Sequence, residues 1–286
     1  MVAVSRLDEL QVSAWRRVLA TGADNVQPLM DLYRPYVDGL ENLPADGRFL
    51  LVGNHTQMSA CEIVLIPYFV RKTVGKRLRP LADRQFGRMR GTQRHLMEAF
   101  GGVVGSPEAA SALMRANEPV LVFPGGGREI AKFKGEEYKL RWEHRAGFAR
   151  VAIAHEYPIV TAALVGGDDV YTSVTERDSL WGKASGWLGK RLTGRDDMAM
   201  PILRGVGPTL IPRPQRMYLR FGPAICTTGP PGVAADEWIL QVKGRVQAQL
   251  EGDLAELQEL RARDPFRSLN PAAWHSATTA ETAAVR

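Results

Sequence analysis

The sequence predicts an α/β fold, a largely parallel central sheet flanked by helices, with an N-terminal helical segment and a C-terminal helix. Three observations carry this reading. From Arg48 onward, short apolar β-branched runs alternate with longer stretches of helical periodicity, which is the signature of βαβ units. The runs are bounded by Gly and Pro, as buried strands are. Two of them end in loops that carry polar residues, and parallel sheets put their chemistry at the carboxyl ends of strands.

Residues 1–46 read as the helical segment. Leu7, Leu10, Trp15, Val18 and Leu19 form one partly amphipathic face, and Leu29, Met30, Leu32, Tyr33 and Tyr36 form a second group that Pro35 and Gly39 interrupt. Such helices suit covering the sheet, or lying in a membrane interface with Trp15, Arg16 and Arg17 at the headgroups. Residues 47–270 form the main domain. Its strand candidates are 49–52, 79–82, 102–104, 120–123 and 159–165, and its helix candidates are 61–71, 86–100, 107–116 and 145–155. Ser106 is a natural N-cap for the third of these helices, with Pro107 at its first position and Glu108 complementing the dipole.

The run from Lys132 to Trp142 alternates charges with aromatics, so it is either a substrate entrance or a solvated segment. Residues 180–192 combine Trp181, Trp187, Leu188 and Leu192 with Lys183, Lys190 and Arg191. That composition fits a helix at a membrane surface or an insertion covering the core, and its glycines weaken it as an autonomous helix. A Gly- and Pro-rich stretch follows over 201–214, and 217–222 reads as a late strand. One long helix spans 235–261 and ends near Asp264-Pro265; residues 271–286 read as a disordered tail.

Composition narrows the class. The chain has 37 Lys and Arg against 31 Asp and Glu, a net charge of +6 that suits anionic lipid surfaces or the phosphates of a coenzyme without demanding either. Cys61 and Cys226 are far apart, which implies a reducing compartment and no disulfide framework. No leader-like stretch opens the chain and no apolar run is long enough to cross a bilayer, so the expectation is a cytoplasmic protein associated with the inner face of a membrane. No metal site and no nucleic-acid partner are expected.

Two strand-to-loop junctions carry the chemistry. Val120-Leu121-Val122 leads into Phe123-Pro124-Gly125-Gly126-Gly127-Arg128-Glu129, where successive glycines let amide N–H groups converge on an anion or oxyanion. Arg128 adds a guanidinium suited to phosphate or carboxylate, and Glu129 either anchors that Arg or begins the next segment. Upstream, Leu50-Leu51-Val52 leads into Gly53-Asn54-His55, which sets a base at a strand mouth.

These two junctions, with Gly101-Gly102-Val103-Val104-Gly105-Ser106-Pro107-Glu108 between them and the weaker echo at 158–166, resemble the glycerolipid acyltransferases related to lysophosphatidic acid acyltransferase. Within that family the closer likeness is to the branch of monoacylglycerol and diacylglycerol acyltransferases and phytyl ester synthases. The resemblance implies an O-acyltransferase that moves a fatty acyl group from acyl-CoA, a co-substrate and not a bound cofactor, to the hydroxyl of a lipid acceptor. It also implies His55 as general base. The chain departs from the family pattern twice. Ala60 stands where the family most often has Asp, which leaves Glu62 as the carboxylate to orient His55. Gly125 stands where the lysophosphatidate enzymes usually have Glu, which favours an acceptor without a phosphate, while Arg128 keeps the phosphate option open.

Catalytic candidates are therefore His55 and Glu62, and substrate-binding candidates are Asn54, Phe123, Pro124, Gly125, Gly126, Gly127, Arg128 and Glu129. The Gly amides serve either the tetrahedral oxyanion or, with Arg128, a phosphate. Acyl-CoA and an acyl carrier protein are both possible donors. The hydrolase alternative needs a Gly-x-Ser-x-Gly elbow, and the sequence has none. Nucleotide-binding glycine loops are likewise missing from it. The non-enzyme alternative is a peripheral lipid-binding protein that keeps the fold without turnover.

Overall fold

The computed structural model describes residues 13–14, 27–58, 61–82, 102–194 and 199–280. Ala60, the helix expected over 86–100 and the whole of the first amphipathic face lie outside the described residues.

A seven-stranded sheet forms the centre. Its strands are β1 (Tyr36–Asp38), β2 (Leu50–Gly53), β3 (Arg79–Ala82), β4 (Val103–Val104), β5 (Val120–Val122), β6 (Ile159–Val165) and β9 (Tyr218–Phe221), in the order β1-β9-β6-β2-β5-β3-β4. β2 runs parallel to both neighbours, with Leu51 opposite Leu121 on β5 and Val160 on β6. β9 enters antiparallel to β6, which makes the sheet mixed at one side. β1 corrects the expectation of helix throughout residues 1–46: the helix α1 (Gln27–Tyr33) stops before Pro35, and Tyr36 pairs with Tyr218 as an edge strand. A small ribbon, β7 (Thr172–Ser173) with β8 (Leu203–Arg204), stands apart from the main sheet.

Alternation along the strands divides the core in two. Leu50, Val52, Val120, Ile159, Ala163 and Val165 face one cluster, filled from α3 (Pro107–Arg115), α5 (Gly147–Ala154) and α7 (Ala235–Arg263). Phe49, Leu51, Leu121, Val160, Ala162 and Leu164 face the other, filled by Met30, Leu43 and the α2 helix (Cys61–Val74) through Leu65, Ile66 and Val70. The result is a helix–sheet–helix sandwich. α7 lays Trp238, Val242, Val246, Leu250, Leu254 and Leu257 along β6, a stripe of nearly four-residue spacing. Ser106 caps α3 as expected, its Oγ accepting from the Ala109 amide at 3.1 Å.

The expected disordered tail is docked as far as the described residues reach. Pro271–Ser276 form a 3-10 helix, Trp274 packs edge-on against Phe266, and the Arg34 guanidinium sits 4.9 Å from the Trp274 ring centre. Asp264 holds this end in place: buried at the close of α7, it accepts from Arg216 at 2.5 Å, from Tyr218 Oη at 2.5 Å and from the Thr278 amide at 3.2 Å. Polar composition alone misread a segment whose anchors are one aromatic ring and one buried carboxylate.

Candidate active site

β2 and β5 are adjacent and parallel, so the loops leaving their carboxyl ends meet over one edge of the sheet. His55 lies two residues beyond β2, and Phe123 directly follows β5. Their rings stack, with centroids 4.4 Å apart and planes 26° from parallel. This juxtaposition of the two junctions required only that the runs be neighbouring strands.

Glu62 stands in the first turn of α2 and aims back at the histidine. Its Oε1 lies 2.5 Å from His55 Nδ1 and accepts from the Thr56 amide at 3.2 Å, while Thr56 Oγ1 donates to Oε2. Burial pushes the Glu62 carboxyl up, but the hydrogen bonds from His55 and Thr56 outweigh it and hold the group below the usual carboxylate range. Ionised, Glu62 can only accept, so Nδ1 carries a proton, and in the neutral imidazole the lone pair is then on Nε2. The Glu62 side chain is 1% exposed and that of His55 16%, so the imidazole touches solvent while the carboxylate does not.

The backbone of the histidine is fixed as tightly as its ring. The His55 amide donates to Glu129 Oε2 at 3.0 Å, and its carbonyl accepts from Lys132 Nζ at 2.8 Å. Glu129 Oε1 accepts from the Arg141 amide at 2.9 Å. Lys132 also pairs with Asp168 at 2.6 Å, and Asp168 in turn accepts from the Gln57 and Tyr138 amides, both at 2.8 Å. Lys132 and Asp168 are both buried. Burial raises the Glu129 carboxyl above its usual range, against the pull of its two amide donors and of Lys132.

The glycine loop is a tight turn. The Gly126 amide closes onto Phe123 O at 3.0 Å, and Gly126 takes φ 56° and ψ −141°, a conformation that a β-carbon would strain. Arg145 Nη1 donates to the carbonyls of Pro124 and Gly125, each at 3.0 Å. Because a trans peptide sets N–H opposite C=O, this clamp fixes the direction of the Gly125 amide. Arg128, at the start of the one-turn helix α4 (Gly127–Ile130), pairs with Glu143. A cleft of about 460 Å³ borders Phe123 and Pro124 and is lined also by His144, Arg145 and Phe148; His55 is not among its walls.

A family model described as Acyltransferase matches residues 34–165, a span that holds both loops. Phytyl ester synthase 2 of Arabidopsis thaliana is 32% identical over 82% of this chain. The chain belongs to the glycerolipid acyltransferase family. Phytyl ester synthase 1 of the same plant is 31% identical over 60% of this chain, and the human DGAT1/2-independent enzyme synthesizing storage lipids is 32% identical over 43% of it. The chain spans 36% and 26% of the lengths of the two plant proteins and 37% of the human one.

In this acyltransferase domain the residues singled out from sequence separate by what they touch. His55, Glu62 and Phe123 come together, with Pro124 and Gly125 held beside them. Asn54 is not available to a substrate: it is buried, and its side chain donates to Leu164 O at 2.9 Å and accepts from Leu164 N at 2.8 Å, so it prolongs the β2–β6 ladder. Glu129 does not anchor Arg128, and being fully buried it serves the loops and not a ligand. Gly126 has spent its amide on the turn, which leaves Gly125 and Gly127 as the loop's candidate donors.

Thr56, Lys132 and Asp168 were missed as members of the site. Thr56 is next to His55 and could have been noticed as a hydroxyl within reach of the same carboxylate. Lys132 belongs to the charged and aromatic run, yet Lys132, Phe133 and Trp142 are all about 1% exposed or less, so that run is neither a solvated segment nor wholly an entrance.

Gly125 and Glu129 explain one another. A β-carbon on Gly125 would lie 2.2 Å from the Glu129 carboxyl carbon. The Glu129 carboxyl group thus fills the space that a side chain at 125 would take, and glycine there is a condition of Glu129 reaching the His55 amide. Glu129→Gln turns one acceptor oxygen into a donor facing a backbone N–H, and it is expected to cost about 1–3 kcal/mol, read as a lower denaturation midpoint, with turnover reduced in parallel.

Proposed function

We propose that the chain transfers a fatty acyl group from acyl-CoA to a hydroxyl of a lipid acceptor, with His55 as general base. The contact that carries this reading is His55 Nδ1 on the buried Glu62 carboxylate at 2.5 Å, which leaves Nε2 as the ring nitrogen for a substrate proton. The acceptor hydroxyl attacks the thioester carbon while its proton passes to Nε2, and the imidazolium formed is stabilised by Glu62. The tetrahedral oxyanion is met by the Gly125 and Gly127 amides, and the Arg145 clamp on the Pro124 carbonyl favours the orientation of the first of them. Collapse breaks the C–S bond, and the departing thiolate takes the proton back from His55. Every bond and proton is accounted for within donor, acceptor and imidazole.

Two observations favour a neutral acceptor, such as a mono- or diacylglycerol or a long-chain alcohol. Arg128 is engaged by Glu143, so a phosphate would have to compete for it. The curated relatives bear names of ester and storage-lipid synthesis. The test is release of free thiol from acyl-CoA with monoacylglycerol, diacylglycerol, a long-chain alcohol or lysophosphatidic acid, in wild type and His55→Ala. Ester product with a neutral acceptor, dependent on His55, is expected. Activity confined to lysophosphatidic acid would transfer Arg128 to phosphate binding. Thiol release indifferent to His55, or none with any acceptor, would leave the non-catalytic lipid-binding alternative ahead.

A further inference from the structure

The segment between β6 and β9 wears its large apolar side chains outward. Its helix α6 (Leu180–Thr193) is seated on small residues: Gly182, Ser185, Gly186 and Gly189 recur at helical spacing along one face. A β-carbon on Gly182 would lie 2.1 Å from Arg177 O, so nothing larger could sit there, and one on Gly186 would touch Ala199. Leu180 and Trp187 point the other way, Leu188 and Leu192 lie on the flank, and all four are exposed, Leu192 to 75%. A helix that covers a core does the reverse.

The neighbouring chain extends this surface. Trp181 Nε1 donates to Met200 O at 2.9 Å, and the Val174 amide donates to Ile202 O at 2.8 Å; Val174, Met200 and Ile202 are themselves exposed. Over residues 180–194 and 199–215 the described chain carries Lys183, Lys190, Arg191, Arg204 and Arg213 and no Asp or Glu, the nearest preceding carboxylates being Glu176 and Asp178. The Arg191 guanidinium lies 5.5 Å from the Trp187 ring centre, a cation beside an amphipathic aromatic of the kind found at lipid–water boundaries. Exposed apolar side chains on a segment whose charges are cationic complement an anionic bilayer surface, whereas an apolar protein partner would gain nothing from the excess charge.

The root of the segment is tied to the loops that hold His55. Gln57 Nε2 donates to Ser173 Oγ at 2.5 Å, the Lys134 amide donates to Thr175 O at 3.0 Å, and Arg177 pairs with Glu136 at 2.6 Å. We propose that α6 and the adjoining 199–202 segment dock on a bilayer containing anionic phospholipid. The docked protein takes its acceptor from that bilayer, a consequence that rests on the acyltransferase reading while the docking itself does not.

The experiment compares wild type with the triple variant Trp187→Ser, Leu188→Ser, Leu192→Ser. None of the three touches the site, and each is exposed, so the melting temperature is expected to stay unchanged. Cosedimentation is measured with vesicles of phosphatidylcholine alone and of equal parts phosphatidylcholine and phosphatidylglycerol. Wild type is expected to bind the anionic vesicles about tenfold or more tightly than the neutral ones, with the difference shrinking as salt rises. The variant is expected to lose about tenfold or more of that binding. It should keep thiol release with a dispersed short-chain alcohol and lose it with vesicle-borne acceptor. Wild type that ignores both vesicles, or a variant that binds as well as wild type, overturns the proposal. So does a dimer in sedimentation equilibrium that the triple variant dissolves without any vesicle binding, since the face would then join two copies. Vesicle binding with no thiol release from either acceptor would retain the docking and remove the acyltransferase reading.

Discussion

Turnover is expected to fall by about 10²- to 10⁴-fold in His55→Ala, by a comparable factor in Glu62→Gln, and scarcely further when the two are combined. The reason is that, in the proposed mechanism, Glu62 acts through the imidazole. It touches Nδ1 at 2.5 Å and is itself buried, so it reaches no substrate except by fixing the tautomer and steadying the imidazolium. Groups that work as one unit show strongly non-additive losses, and a double-mutant cycle on kcat reads the coupling directly. Losses that simply multiplied would show Glu62 to be part of the scaffold only. A second readout follows from protonation. Because the folded Glu62 carboxyl lies below its ordinary range, the stability it contributes is present above that ordinary value and is lost as pH falls through the lowered one. Glutamine has no such proton, so the stability gap between wild type and Glu62→Gln is expected to narrow on acidification, as followed by denaturant titration across that window.

Why Glu62 was legible in the sequence and Lys132 was not is a matter of range. Glu62 lies seven residues from His55, on the helix that follows the same strand, so a missing carboxylate at position 60 could be sought along a single helical turn. The central strands were legible for a related reason: Leu50–Val52, Val120–Val122 and Ile159–Val165 are buried on both faces almost throughout and so read as apolar runs, interrupted only by Thr161. β1 could not be read that way, being three residues long, at the sheet edge and following a proline. The direction of β9 was equally hidden, since an isolated strand carries no mark of the partner it will choose. Asn54 and Glu129 were expected to bind substrate, yet their partners are backbone groups of Leu164, His55 and Arg141, and a backbone amide leaves no trace in sequence. The glycines of α6 were read as weakness in a helix; packed against Arg177 O and Ala199 they are the surface on which it sits.

The buried Lys132–Asp168 pair is the connection that most needed three dimensions, and breaking it is expected to have the largest effect on stability. Lys132 follows the glycine loop, Asp168 follows β6, and thirty-six residues separate them. Asp168 is fully buried and receives the ammonium at 2.6 Å together with the amides of Gln57 and Tyr138. Lys132→Met keeps most of the stem's volume but leaves that carboxylate without its countercharge, and it frees the His55 carbonyl as well. A loss of about 3–5 kcal/mol is expected, measured as the shift in denaturant midpoint at constant slope. Adding Asp168→Asn removes the stranded charge and should recover a large part of the loss, because most of it is the penalty of one buried unpaired ion and not the worth of the pair. Activity is expected to separate from stability here. The double variant still lacks the Nζ donor on His55 O, so at temperatures where it is fully folded its kcat should remain below wild type. A double variant with restored kcat would show that Glu129 and the Phe123 ring suffice to hold the histidine; one as unstable as Lys132→Met would show that the ammonium stabilises through packing and hydrogen bonding more than through charge.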